Sequence, residues 1–330
     1  MAKTSDTPKK PERQRWLPIT LRLLGSLPLG LVTRFGATAA WLISWLPLPL
    51  AGAYRVVLVN TLLCYPQLSY RQAARRARAA LRETGRTLAE FSHVWTRPPQ
   101  ETLSRIRSVR GMEALRAAYA SDRPVLLLTL HQSSWELPNL LLGPEGPMTV
   151  FYQSSGNSAF NRIVTGARES TGSTLVRADA RGIKAAVAAM ARGEAVAILV
   201  DHTPHGGNNP WVPLFGHPVR TSSLPHKLIR RYRPHVFFVG CHRRNGPADV
   251  EVYIEPAPEA IHAADEQACL AAMNDTLAML ISRYPEQYHW VYKRLRHSHG
   301  AKRRFYRRDV VPYLREARAR NGTLDINQLP

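Results

Sequence analysis

Leu126-Leu127-Leu128-Thr129-Leu130 is a mostly apolar run of strand length that leads into His131, and Glu136 follows five residues later in Gln132-Ser133-Ser134-Trp135-Glu136. Imidazole is the side chain most readily made a proton acceptor near neutral pH, and a nearby carboxylate can hold its tautomer and stabilise its cation. Transfer of an acyl group to a hydroxyl needs such a pair. On one regular helix five residues turn through about 500°, so the two side chains would point roughly 140° apart. They meet if His131 lies at the strand end or in the turn and Glu136 in the first helical turn. Strand ends that feed such turns are where α/β enzymes place their sites. Taken alone, His-x4-Glu equally describes a buried histidine bonded to backbone beside a surface glutamate, because short motifs recur by chance.

The elements that must position the pair are written along the chain. Apolar runs of strand length occur at Val125–Leu130, Thr149–Tyr152, Thr174–Val176, Ala195–Val200, Val236–Gly240 and Val250–Ile254. Helical patterns lie between or beside them at Arg71–Trp95, Ser158–Glu169, Ile183–Ala191 and Asp265–Tyr284. Such alternation predicts an α/β fold with a mostly parallel central sheet flanked by helices. With 330 residues and 45% apolar side chains the chain can bury a substantial core, which excludes general disorder.

Lys and Arg number 45 against 24 Asp and Glu, a net charge of +21. That field favours a polyanion, whether nucleic acid, anionic membrane or an acidic protein. The three cysteines, Cys64, Cys241 and Cys269, are far apart and form no metal-binding pair, so a reducing compartment and no disulfide framework are expected. Residues 1–15 are polar and basic and are expected to be disordered. From Trp16 to Tyr54 the chain is apolar except for Arg22 and Arg34, and residues 35–54 are free of charge. Twenty residues just suffice to cross a bilayer, and Trp41 and Trp45 suit an interfacial depth. Both flanks are basic, however, so the positive-inside rule is conflicted. Residues 16–54 are therefore expected to attach to the membrane as a hairpin or tilted helix, the alternative being a buried helix of the main domain. The catalytic α/β domain is assigned to residues 55–300 and a basic tail to 301–330.

The order of several short blocks resembles one family, the lipid A biosynthesis acyltransferases of Gram-negative bacteria (the late lauroyl/myristoyl transferases). Tyr54-Arg55-Val56-Val57-Leu58-Val59-Asn60 with Leu63-Cys64-Tyr65-Pro66 resembles the block after the family's membrane helix. His131 to Glu136 is similar to its H-x4-D/E block, including the tryptophan before the acid. Phe151-Tyr152, Asn161-Arg162 and Gly166-Ala167-Arg168 resemble its second block. Asp201, Gly206-Gly207 and Val212-Pro213-Leu214-Phe215-Gly216 resemble its third, and Pro285 to Trp290 with Lys293-Arg294 its closing one. Two positions depart from the pattern: Gln153-Ser154 stand where the family has Arg-Pro, and His202 where it has Gln.

The resemblance implies a cytoplasmic-face inner-membrane enzyme of lipopolysaccharide biosynthesis. It would move an acyl chain from an acyl carrier protein thioester to a hydroxyl of an anionic glycolipid, a lipid A precursor, without a cofactor. His131 is expected to be the general base and Glu136 to orient it. No G-x-S-x-G elbow is present, so attack on the thioester is expected to be direct. Ser133 and Ser134 are expected to cap the following helix, with an oxyanion contact as the alternative. Arg168 is expected to bind a substrate phosphate through its guanidinium fork, and Asp201 to bind acceptor hydroxyls or a cation or to start a turn. Asp201, His202 and His205 have no spacing that supports a metal site, and none is expected. A glycerolipid acyltransferase is the rival enzyme, but its later Glu-Gly-Thr-Arg block is missing. A basic nucleic-acid-binding protein would account for the charge and not for residues 16–54, so no nucleic-acid partner is expected.

Overall fold

Leu126, Leu127 and Leu128 are wholly buried because a strand pairs with each edge of their own and helices cover both faces. A strand closed in on both sides needs an apolar run rather than alternation. The computed structural model describes residues 16–47, 50–155, 157–204, 208–298, 304–307 and 309–319. Its strands are β1 (Ile106–Arg110), β2 (Val125–Thr129), β3 (Met148–Tyr152), β4 (Thr174–Arg177), β5 (Ala195–Leu199), β6 (Trp211–Leu214), β7 (His217–Arg220), β8 (His235–Gly246) and β9 (Asp249–Pro256). The helices are α1 (Trp16–Ser26), α2 (Leu29–Ile43), α3 (Gly52–Cys64), α4 (Tyr70–Val94), α5 (Pro99–Leu103), α6 (Met112–Tyr119), α7 (Leu137–Leu142), α8 (Ser158–Glu169), α9 (Ala180–Ala191), α10 (Leu224–Tyr232), α11 (Glu266–Arg283) and α12 (Val310–Ala319).

Seven strands form one sheet in the order β1-β9-β8-β2-β5-β3-β4. The strands from β8 to β4 run parallel, whereas β9 is antiparallel to β8 and carries β1 parallel to itself. Alternate residues feed two cores. Leu126 and Leu128 of β2, Val196 and Ile198 of β5 and Phe238 of β8 enter one cluster with α3, α9 and α11. Val125 and Leu127, Ala195 and Ala197, and Phe237 and Val239 enter the other with α6 and α7. The predicted α/β architecture and its six strands are present. Unpredicted are the edge strand β1, whose Arg107, Ser108 and Arg110 hide its period, and the hairpin β6–β7, which tolerates Pro213 and Pro218 because it forms a separate two-stranded sheet.

The apolar N-terminal segment divides into two parts. Its last three residues open α3, a core helix in which Val57, Leu58, Val59 and Leu62, beyond the segment, have no exposure. A domain boundary at Tyr54 would fall inside this helix. The first part, α1 and α2, forms a bent pair that packs on α4 and turns at Leu27 and Pro28. Gly36 of α2 and Gly85 of α4 face each other so closely that a Cβ on Gly36 would lie 2.5 Å from the Gly85 carbonyl oxygen. Arg97 Nε donates to the Gly25 carbonyl at 2.6 Å, satisfying one of the last acceptors of α1. Among the described residues no helix is long and apolar enough to cross a membrane. The C-terminal segment assigned as a tail packs in part: Phe305, Tyr306, Val310, Val311 and Leu314 are buried in the α3 core.

Candidate functional site

Parallel pairing places β2 beside β5 with Thr129 opposite Leu199. Two residues beyond each strand end, His131 and Asp201 therefore emerge side by side at the carboxyl edge of the sheet. The His131 backbone N–H donates to Asp201 Oδ2 at 2.8 Å, and the ring Nδ1 lies 2.8 Å from Oδ1. Burial alone would raise the Asp201 carboxyl pKa, but the His131 ring and its two hydrogen bonds outweigh it and hold the group well below the usual carboxylate range. An ionised Asp201 accepts only, so Nδ1 carries the proton and Nε2 keeps the basic lone pair.

Glu136 is placed differently from the expectation that it orients the imidazole. It stands at the N-cap of α7, just before the first helical turn, and its carboxylate is buried against Arg168 of α8. Arg168 Nε donates to Oε2 at 2.7 Å and Nη2 donates to Oε1. Burial again opposes the charge, and Arg168 more than offsets it, so the Glu136 pKa is lowered; His131 adds a smaller contribution in the same direction. The fork expected to grip a phosphate is thus engaged by Glu136. Replacing Arg168 with lysine keeps the charge and loses the parallel geometry. Arg168→Lys is expected to lower the unfolding free energy by about 1–3 kcal/mol, read as a shift of the urea midpoint at unchanged slope.

The loop between His131 and Glu136 is held from below. Ser134 does not cap α7; its hydroxyl donates to Glu90 of α4, 2.8 Å from each oxygen. Glu90 also accepts from Arg243 of β8 at 2.7 Å and contacts Arg105. Ser133 adopts a left-handed φ of 53°, and its N–H donates to the Gln287 carbonyl at 2.7 Å. The Gln132 side chain accepts from Tyr253 at 2.7 Å, and His289 N–H donates to the His131 carbonyl at 2.9 Å. Asn60 ties the closing block to α3 by donating to the carbonyls of Trp290 and Tyr292 at 2.6 and 3.0 Å and accepting from Tyr306 at 2.6 Å. Asn60, the His131–Glu136 loop and the closing block, far apart in sequence, are therefore one hydrogen-bonded cradle around His131. Glu90, Arg105 and Arg243 were not singled out from sequence; their signal is an acid inside the Ala–Leu–Phe stripe of a helix and an arginine continuing an apolar strand.

Aromatic rings fix the imidazole laterally. His202 stacks on it at 4.0 Å with 7° between planes, and Tyr292 stacks on the far face of His202 at 4.2 Å. Trp135 meets His131 edge-on at 5.1 Å and His289 at 5.1 Å. Burial, followed by the neighbouring His131, pushes the His289 pKa down to about 3, so this ring stays neutral. His131, Asp201 and His202 offer donor atoms within 4.8 Å of one another. The two stacked rings direct their lone pairs along parallel planes, however, and do not converge on one ion. His205, Gly206 and Gly207 lie outside the described residues.

A narrow slot opens beside the pair. Trp135, Glu136 and Arg168 stand on one side, and Leu127, Met148, Val150 and Leu199 are among the apolar residues lining the rest, between the sheet and α7.

The family described as bacterial lipid A biosynthesis acyltransferase matches residues 4–297. The chain is 28% identical over 242 residues to the lipid A biosynthesis palmitoleoyltransferase of Escherichia coli (strain K12), covering 72% of this chain and 76% of that protein. It is 24% identical over 282 residues to the lauroyltransferase of the same strain, covering 80% and 91%, and 21% identical over 260 residues to its myristoyltransferase, covering 78% and 80%. With nearly its whole length matched, the chain belongs to the bacterial lipid A biosynthesis acyltransferase family.

Proposed function

We propose that the protein transfers a fatty acyl chain from an acyl carrier protein thioester to a hydroxyl of a lipid A precursor, with His131 as general base and Asp201 as its orienting carboxylate. The observation that carries this reading is the double hydrogen bond between His131 and Asp201 at the carboxyl edge of the sheet. Nε2 takes the proton of the acceptor hydroxyl as its oxygen attacks the thioester carbonyl carbon. The tetrahedral intermediate then collapses, the carbon–sulfur bond breaks, and the imidazolium returns the proton to the leaving thiolate. Asp201 steadies the imidazolium by direct contact, and Glu136, kept ionised by Arg168, supports it from a distance.

The slot has the apolar lining that an acyl chain needs and shares Trp135 with the imidazole contact, and its volume of about 50 Å³ means that it must widen to take a full chain. The net charge of +21 suits an acidic carrier protein and an anionic glycolipid. Secondary acylation is tested by mass spectrometry of lipid A from cells with and without the gene. Loss of one acyl chain on deletion is the expected result, and an unchanged lipid A pattern would count against the assignment.

In this reading α1 and α2 lie on the cytoplasmic surface of the inner membrane. Ile19, Leu23, Leu31 and Phe35 point away from the protein, Phe35 with 70% of its surface exposed. An amphipathic pair held flat by α4 enters the interface without spanning it. Leu31→Asp with Phe35→Asp is expected to move the protein from the sedimented membranes to the supernatant, since burying each such side chain is worth about 1.5–3 kcal/mol. Unaltered sedimentation of the double variant after a high-salt wash would rule out this face.

A further inference from the structure

A separate feature lies on α4 where its first three turns pass α2. Arg71, Arg75, Arg78 and Arg82 follow one another at steps of four, three and four, which puts them on one helix face. Together with Trp41, Trp45 and Tyr70 they line a groove of about 580 Å³ whose floor is Ala74 and Ala79. Arg78 lies over the Trp45 ring at 4.2 Å and over Tyr54 at 5.3 Å, and its Nε is buried without a protein partner. Among the described residues none of the four arginines makes an ion pair, although Arg76 and Arg86 of the same helix do. Four like charges on one face repel one another, so the row is unfavourable unless an anion sits against it.

We propose that this groove holds the phosphate of an anionic phospholipid headgroup from the bilayer. The inference rests on the membrane-surface reading of α1 and α2 and specifies the lipid contact. Guanidinium groups bind phosphate through parallel hydrogen bonds, and indole rings settle at headgroup depth. Trp45 and Leu42 are 59% and 55% exposed beside the groove. A headgroup in the groove leaves these side chains in the acyl region, whereas an acidic protein helix docked on the arginines would leave them in water.

The test measures co-sedimentation of the full chain with phosphatidylcholine vesicles, with and without roughly a third phosphatidylglycerol. An arginine near an anionic surface is worth about fivefold in binding. Arg71→Gln/Arg75→Gln/Arg82→Gln, which spares the packed Arg78, is therefore expected to bind the anionic vesicles roughly a hundredfold more weakly and the neutral ones unchanged. The corresponding lysine triple variant should recover only part of the loss, because it lacks the planar fork. Arg107→Gln/Arg181→Gln/Arg230→Gln, with the same change in charge at exposed sites elsewhere, should lose much less.

Equal losses in the groove and remote variants would mean a diffuse field and overturn the site. A groove variant that binds vesicles normally but binds acyl carrier protein weakly would make the row a protein-docking surface, which also overturns it. These outcomes leave membrane attachment standing. Failure of the unaltered protein to bind either vesicle removes both readings.

Discussion

Asp201→Asn is expected to slow acyl transfer by about 10²–10⁴-fold, comparable to His131→Ala, because in the proposed mechanism both remove the same general base. The wild-type carboxylate accepts the Nδ1 proton at 2.8 Å and stays ionised under the His131 contacts. An asparagine amide fits the space and can donate to Nδ1, which drives the ring proton to Nε2 and leaves no lone pair for the acceptor hydroxyl. Single-turnover transfer from an acyl carrier protein thioester measures the effect on chemistry, and circular dichroism with a thermal melt verifies that the variant folds. Glu136→Gln provides the contrast. It leaves Nδ1–H with its acceptor and removes the distant charge together with one of the two Arg168 hydrogen bonds, so a smaller loss of turnover is expected at equal folded protein. Full turnover in Asp201→Asn together with an inactive Glu136→Gln would reverse the two roles.

The reversal of partners shows what local spacing can reveal. His131 was legible because an apolar strand leads into it, and its placement at the carboxyl edge followed from the α/β pattern. Glu136 looked like its partner because it is five residues away along the chain. The carboxylate that reaches the ring comes from 70 positions later, carried there by the parallel register of β2 and β5. No single-strand pattern encodes that register, although both runs were visible as strands. Arg168 was singled out for its planar fork, and the fork is used, but on Glu136 inside the protein. Asn60 belonged to a recognisable block without a visible purpose; its three hydrogen bonds give it one, tying α3 to the closing segment. The N-terminal segment was misleading for a different reason. Hydropathy alone does not separate α3, which is buried by the protein, from α1 and α2, which expose apolar side chains. The Gly36–Gly85 approach that seats α2 on α4 joins residues with no sequence relation.

The largest effect on stability is expected at Glu90, which touches no part of the proposed reaction. Its side chain is fully buried and receives Ser134, Arg243 and Arg105. Burial pulls the Arg105 pKa down to about 9, and burial also lowers that of Arg243 despite help from Glu83. Glu90→Gln leaves these two guanidiniums in a dry site with one fewer negative charge, and uncompensated buried charge is typically destabilising by about 3–5 kcal/mol. Urea unfolding should show a fall of that size, and the His131 loop should loosen with it because Ser134 and Arg243 then compete for the single remaining acceptor oxygen. Ser134→Ala alone deletes the hydroxyl that donates to Glu90 and accepts from Arg243, leaves the charges in place, and is expected to cost only about 1–3 kcal/mol. Glu90→Leu combined with Arg105→Met and Arg243→Met removes all three charges together, and with them the desolvation penalty. Recovery of much of the lost stability in that triple variant identifies unpaired charge as the cause; a triple variant less stable than Glu90→Gln would point to the hydrogen-bonded scaffold of Ser134 and Thr87 instead.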